Sequence, residues 1–229
     1  MKPTPAEFVE AVRGPLEAGD AEALVREVDR RWTAGEVATL LGAGDACVRS
    51  AAAVVLGMIG TTSQLGVMSR ALRDEEASVR QTAEHALWSI WLRCGADEAL
   101  GPMHAGIKAL AEDRVGAAIE LLEEALRRDP EFAEAYHQLG IALSGEERWD
   151  RAAEAFSAAS TRLPSHFAAW AGLGHCCCHL GRWERALCAY RKALSIHPGL
   201  ADLPEAIERV RARVVEPPTV AAWERSGDG

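Results

Sequence analysis

At 229 residues, with 48% apolar and 6% aromatic side chains, the chain can bury a substantial core as one large domain or two small ones. Its net charge of −9 argues against a nucleic-acid binder, which needs a dense lysine and arginine field over phosphates. No run approaches the ~18 uninterrupted apolar residues of a membrane-spanning helix. The N-terminus, MKPTPAEFVEAVRG, has no signal-peptide core, so a cytoplasmic location is expected and the six cysteines should be thiols or ligands.

Alanine and leucine dominate and β-branched runs are few, which favours helix throughout. Residues 5–32 read as two amphipathic helices, PAEFVEAVRGPLEA and AEALVREVDRRW, and residues 1–32 are expected to cap the N-terminal end. Two segments then share a skeleton, LLGAGDACVRSAAAVVLGMIG at 40–60 and ALRDEEASVRQTAEHALWSIW at 71–91. Val48-Arg49 and Val79-Arg80 lie 31 residues apart, and each pair is followed by alanine and leucine at the same offsets. The pattern resembles short bacterial HEAT-like repeats, in which an acidic turn precedes a helix opening in Val-Arg. Asp74, Glu76 and Arg80 match in the second unit; Asp45 and Arg49 match in the first, where Ala43 replaces the turn aspartate. The resemblance implies HEAT-like helices over 33–94 and an incomplete Asp–Arg ladder. Repeats of this length also occur in enzymes that attach bilin chromophores, so a chromophore lyase or its accessory subunit stands as the alternative function.

The segment CGADEALGP, 94–102, is expected to be a short join between two arrays. Beyond it Pro130, Pro164 and Pro198 recur at intervals of 34 residues. In register with them stand Tyr136 and Trp170, then Leu139-Gly140 and Leu173-Gly174. Small residues follow at Ala118, Ala152 and Ala186, and bulky ones four positions later at Leu122, Phe156 and Tyr190. Small residues let two helices approach, bulky ones fill the space between units, and proline ends each helix. The pattern resembles the tetratricopeptide repeat family, a helix–turn–helix unit stacked into a superhelix. Three units are expected, 99–132, 133–166 and 167–200, the first degenerate because Pro102 stands where the opening aromatic belongs. Residues 200–215 read as a capping helix, and 216–229 as a flexible tail whose Trp223 is a candidate occupant of the groove. The fold class expected is all-α, a right-handed helical-repeat solenoid (α-α superhelix) in which a HEAT-like array continues into a tetratricopeptide array.

The resemblance implies that the first helix of each unit lines a concave groove. Carried onto this sequence, the groove residues are Leu100, Met103 and Ile107, then Glu134, His137 and Ile141, then His175, Cys178 and His179. Leucine, methionine and isoleucine suit an apolar peptide or amphipathic helix, although packing at the array junction would use the same residues. The groove lacks the Lys, Arg and Asn of the carboxylate clamp with which some relatives grip acidic chaperone tails, and that partner class is rejected. In LGHCCCHLGRW, 173–183, Cys176 and Cys177 should face inward, whereas His175, Cys178 and His179 share one helix face. These three form a candidate zinc or copper site, weighed against ordinary exposed groove histidines. Cys47 and Cys94 should be structural. No phosphate loop, nucleophile elbow or HExxH is present. The expectation is a non-enzymatic adaptor for a protein or peptide, with no cofactor and neither nucleic acid nor membrane as partner.

Overall fold

The computed structural model describes residues 2–215; the stretch expected to be a tail, with Trp223, lies outside the described residues. Every regular element described is helical. α1 (Pro5–Ala18) opens on a reciprocal capping box between Thr4 and Glu7, with proline at its start, and ends at Gly19 in the left-handed region. α2 (Ala21–Asp29) is capped by Asp20 and the short α3 (Ala34–Ala38) by Thr33. α4 (Ala46–Ile59), α5 (Leu65–Ala71) and α6 (Ala77–Trp91) complete the N-terminal half.

The Val-Arg motifs of α4 and α6 do the same local work. Arg49 Nη1 donates to the carbonyls of Ala43 and Gly44, both at 3.0 Å, and Arg80 Nη1 to those of Asp74 and Glu75 at 2.7 and 2.8 Å. Each arginine thus ties down the turn six and five residues before it. Arg49 also makes a bidentate bond to Asp74, 2.8 Å from Nε and 2.7 Å from Nη2, which joins the two turns.

The C-terminal half consists of helix pairs: α7 (Asp97–Ala111) with α8 (Val115–Arg128), α9 (Ala133–Gly145) with α10 (Trp149–Arg162), and α11 (Phe167–His179) with α12 (Trp183–Ile196). α13 (Leu203–Val215) closes the series. The period of 34 is written into the backbone. Asp113, Glu147 and Gly181 all adopt positive φ, at 57°, 56° and 66°, in the turn inside each pair. The next residue then bonds back across the helix end: Arg114 N–H to Ala109 O at 2.8 Å, Arg148 to Leu143 at 2.9 Å, Arg182 to Cys177 at 2.8 Å. Close packing explains the recurrent glycine of the first helices. A Cβ on Gly140 would stand 2.7 Å from the Phe156 ring, and one on Gly174 2.5 Å from Tyr190.

The first pair accommodates its proline without breaking. Pro102 lies inside α7 and has no N–H for the carbonyl of Glu98, and that carbonyl accepts instead from Arg128 Nη1 at 2.9 Å. The join between the halves is shorter than expected, because α7 already begins at Asp97. It is also held: Ala96 N–H donates to Asp129 Oδ2 at 2.8 Å.

Two apolar cores run through the molecule. One holds Ala99, Met103, Leu122, Phe156 and Tyr190 and ends on Ile207 and Val210 of α13. The other, built on Phe8, Leu24, Leu56, Met68, Leu87 and Trp91, extends outside its own half. Phe167 is fully part of it, and Leu163, Ala168, Ile196 and Leu200 pack against it. The N-terminal half therefore completes its core with residues of the second and third helix pairs.

Candidate functional site

The first helices of the pairs contact one another, α7 with α9 and α9 with α11, so the groove face is the inner one. The expected groove residues separate into two groups along it. Met103, Glu134 and His137 are buried; Leu100, Ile107 and Cys178 are half-buried; Ile141, His175 and His179 are exposed.

The buried end is covered by α6. Trp88 sets its ring 5.6 Å from His137 and 6.0 Å from both His166 and Phe167. Trp91, one helical turn on, stacks on His166 at 4.1 Å and 15°. Glu84 meets His197 Nε2 at 3.2 Å from the same helix face. Beneath the indoles lies a buried carboxylate, Glu134, whose two oxygens accept from three side chains. His137 Nδ1 stands 3.2 Å and Gln138 Nε2 2.6 Å from Oε1, and His166 Nε2 2.8 Å from Oε2.

Burial alone would raise the Glu134 carboxyl, but the bonds from His137 and His166 outweigh it and hold the group well below the usual carboxylate range. Burial pushes His166 the other way, below its ordinary value, against the pull of Glu134. Among the described residues, Glu134, His137 and His166 are the set whose ligand atoms converge, all within 4.8 Å, and not His175, Cys178 and His179. The hydrogen-bond pattern settles what the set does. Ala169 N–H donates to His166 Nδ1 at 3.2 Å, so the ring's proton sits on Nε2, aimed at Glu134. With its lone pair engaged by α11 and its N–H by the carboxylate, His166 is a hydrogen-bond bridge and offers no nitrogen to a metal.

The open end begins at Ile141, 41% exposed and one of two exposed large apolar side chains among the described residues. It continues through Ala171 and Gly172 to Leu203 and Ala206 of α13, around a cavity of about 420 Å³. A second cavity of about 310 Å³ adjoins it, between His175 and His179 on α11 and Arg209 and Arg213 on α13. His179 lies flat on Trp149, 3.7 Å apart and 4° from parallel, and His175 meets the edge of His179 at 4.8 Å. Burial and the neighbouring His179 lower His175 from its ordinary value. Cys178 Sγ lies 3.5 Å from Tyr190 Oη. Cys176 and Cys177 are buried as their register requires, and burial pushes both thiols up. Cys47, expected to be structural, is exposed.

Sequence reasoning missed Trp88, Trp91, His166 and His197, and it treated Arg209 and Arg213 as the polar face of a cap. The available signals were an indole pair at i, i+3 and an arginine pair at i, i+4, each a single stripe on one helix face.

Among curated proteins none matches the chain. The tetratricopeptide repeat model matches residues 137–201. The first TPR of Spaghetti (RPAP3), solved bound to the HSP90 peptide SRMEEVD, is 17% identical with a TM-score of 0.51, over 52% of this chain and 94% of that one. The Sgt2 TPR domain from Aspergillus fumigatus is 22% identical with a TM-score of 0.50, over 54% and 87%. Together with the 34-residue recurrence of turn geometry, these likenesses show an all-α helix–turn–helix solenoid with a tetratricopeptide repeat array in its C-terminal half.

Proposed function

We propose that the protein is a non-enzymatic scaffold that receives a peptide or protein segment in the open half of its groove. The observation that carries this is the contrast between the two ends of one surface. Trp88 and Trp91 already cover Glu134 and His137, whereas Ile141 stands exposed beside a cavity floored by Ala171, Leu203 and Ala206. An apolar strip at the bottom of a concave, otherwise polar wall is what a helical-repeat groove offers to a segment. The solved bound state of the RPAP3 repeat domain supports the same use of the fold.

On this reading Ile141, His175, Cys178 and His179 are contact residues. Glu134 and His137 act indirectly, by fixing α6 in place, and Met103 by holding α7. We read residues 33–94 as HEAT-like, supported by the matching offsets at which Arg49 and Arg80 bond the preceding turns. Six free thiols fit a reducing, cytoplasmic setting.

The test is a selection of displayed peptides against the full chain, followed by Ile141→Arg. Selected peptides should lose binding to that variant and keep it in Glu120→Arg, a change on α8 away from the groove. Peptides indifferent to Ile141→Arg would place recognition elsewhere.

A further inference from the structure

The two cavities of the open groove are one site with two chemistries. They share His175, Tyr190, Ala206 and Arg209. The first is apolar, over Ile141, Ala171, Gly172 and Leu203, with Asp202 as the acidic residue at its rim. The second carries four nitrogen bases, His175 and His179 on one wall and Arg209 and Arg213 on the other. Both pairs are i, i+4, so on each helix the two side chains project from the same face. Among the described residues no carboxylate lines this second cavity, although the chain as a whole carries a net charge of −9. Glu205, on the outer turn of α13, holds Arg209 Nη1 at 2.6 Å and leaves the rest of that guanidinium's donors unused by it. No described carboxylate lies within ion-pair distance of Arg213.

We propose that this double cavity recognises a phosphorylated peptide segment, with an apolar side chain seated on Ile141, Ala171 and Leu203 and the phosphate between the His175–His179 and Arg209–Arg213 pairs. The inference rests on the groove reading above and adds the partner's chemistry to it. Two exposed guanidiniums facing a cavity wall without a carboxylate create a local positive potential in an acidic chain, and that potential attracts an anion. Two guanidiniums and two imidazoles present more N–H donors than one carboxylate accepts. A phosphate monoester, with three terminal oxygens and a charge of roughly −1.5 to −2 near neutrality, matches them better. His179 is pre-positioned by its stack on Trp149, so less ordering is required of that wall when the anion enters. Carboxylate recognition at this wall is the competing outcome, and the experiment separates the two.

The full chain is titrated with phenyl phosphate while the imidazole signals of His175 and His179 are followed by NMR. Benzoate is the matched control, and Arg209→Ala/Arg213→Ala the variant. Both arginines are exposed, so the variant should keep the wild-type fold, which its circular dichroism checks. Phenyl phosphate should move both rings saturably, benzoate should bind more weakly, and the variant should lose about tenfold or more in affinity. Absence of saturation, equal binding of benzoate, or an unchanged affinity in the variant would overturn the proposal. A second arm compares an oriented peptide library containing Leu and phosphoserine with the same library carrying serine or glutamate. Preference for phosphoserine supports the proposal. Equal binding of the serine library sinks it and leaves the groove reading intact. Phenyl phosphate binding with no peptide binding sinks the groove reading and, with it, the phosphopeptide assignment.

Discussion

The imidazole of His166 lies on the indole of Trp91, ring over ring at 4.1 Å, and joins two halves of the chain that make few other backbone-close approaches. The stack is buried on both sides, with Trp91 1% and His166 0% exposed. Truncation of Trp91 to alanine should therefore remove about 3–5 kcal/mol, the usual cost of deleting a large buried aromatic. The more informative result concerns cooperativity. Wild type should unfold in one calorimetric transition, and Trp88→Ala/Trp91→Ala in two, with trypsin gaining access to Arg93 in the join. A single transition in the double variant would show that the halves are coupled by other means.

Stability should fall with acid in two stages. The folded state depresses His166, so the unfolded chain takes up a proton first as the pH drops below 6.5, and the contribution is lost from there downward. The lowered carboxyl of Glu134 adds a second loss once the pH passes below 4.5. His175, also depressed, contributes to the first stage in the same direction. Melting temperature against pH should be highest above the first of these values, and His166→Asn should flatten the upper stage. An unchanged slope in that variant would assign the upper stage to His175.

The turn inside each helix pair offers a stabilising change. Glu147 and Asp113 hold the backbone conformation that Gly181 holds in the third pair, at a steric cost that glycine does not incur. Glu147→Gly should raise stability by up to ~1 kcal/mol, and Gly181→Ala should lower it by about as much. Denaturant midpoints measure both; a loss in Glu147→Gly would mean that the side chain's own contacts outweigh the strain.

Arg49 and Asp74 are a part-buried bidentate pair, and Arg49 holds the Asp74 carboxyl below its usual range. Removing only one partner leaves the other uncompensated, so Arg49→Leu should lower the urea midpoint. The double variant Arg49→Leu/Asp74→Leu should cost less than that single change. Strictly additive losses in urea unfolding would show that the pair is not energetically coupled.

The helix pairs were legible in the sequence because their determinants are local or recur at one interval. A glycine opposite an aromatic, a small residue opposite a bulky one and a terminating proline each leave a mark within a few turns. Glu134 and His137 were legible as inner-face residues for the same reason. Their burial was not, because it depends on where α6 comes to rest, and nothing near residues 134–137 encodes Trp88 or Trp91. Likewise α13 read as a polar cap, since an arginine pair on an exposed face has the same pattern whether it meets water or lines a cavity. The direction in which each half presents its surface is a long-range outcome of the shared core.

That shared core also dictates an order of events during synthesis. The N-terminal half leaves the ribosome first, yet Phe167, Ile196 and Leu200, which finish its interior, follow only much later in translation. Until they emerge, Trp88 and Trp91 lack the His166 and Phe167 rings that cover their outward faces and remain a sticky apolar edge on a nascent chain. The chain should thus depend on chaperone protection until about the time of its release from the ribosome.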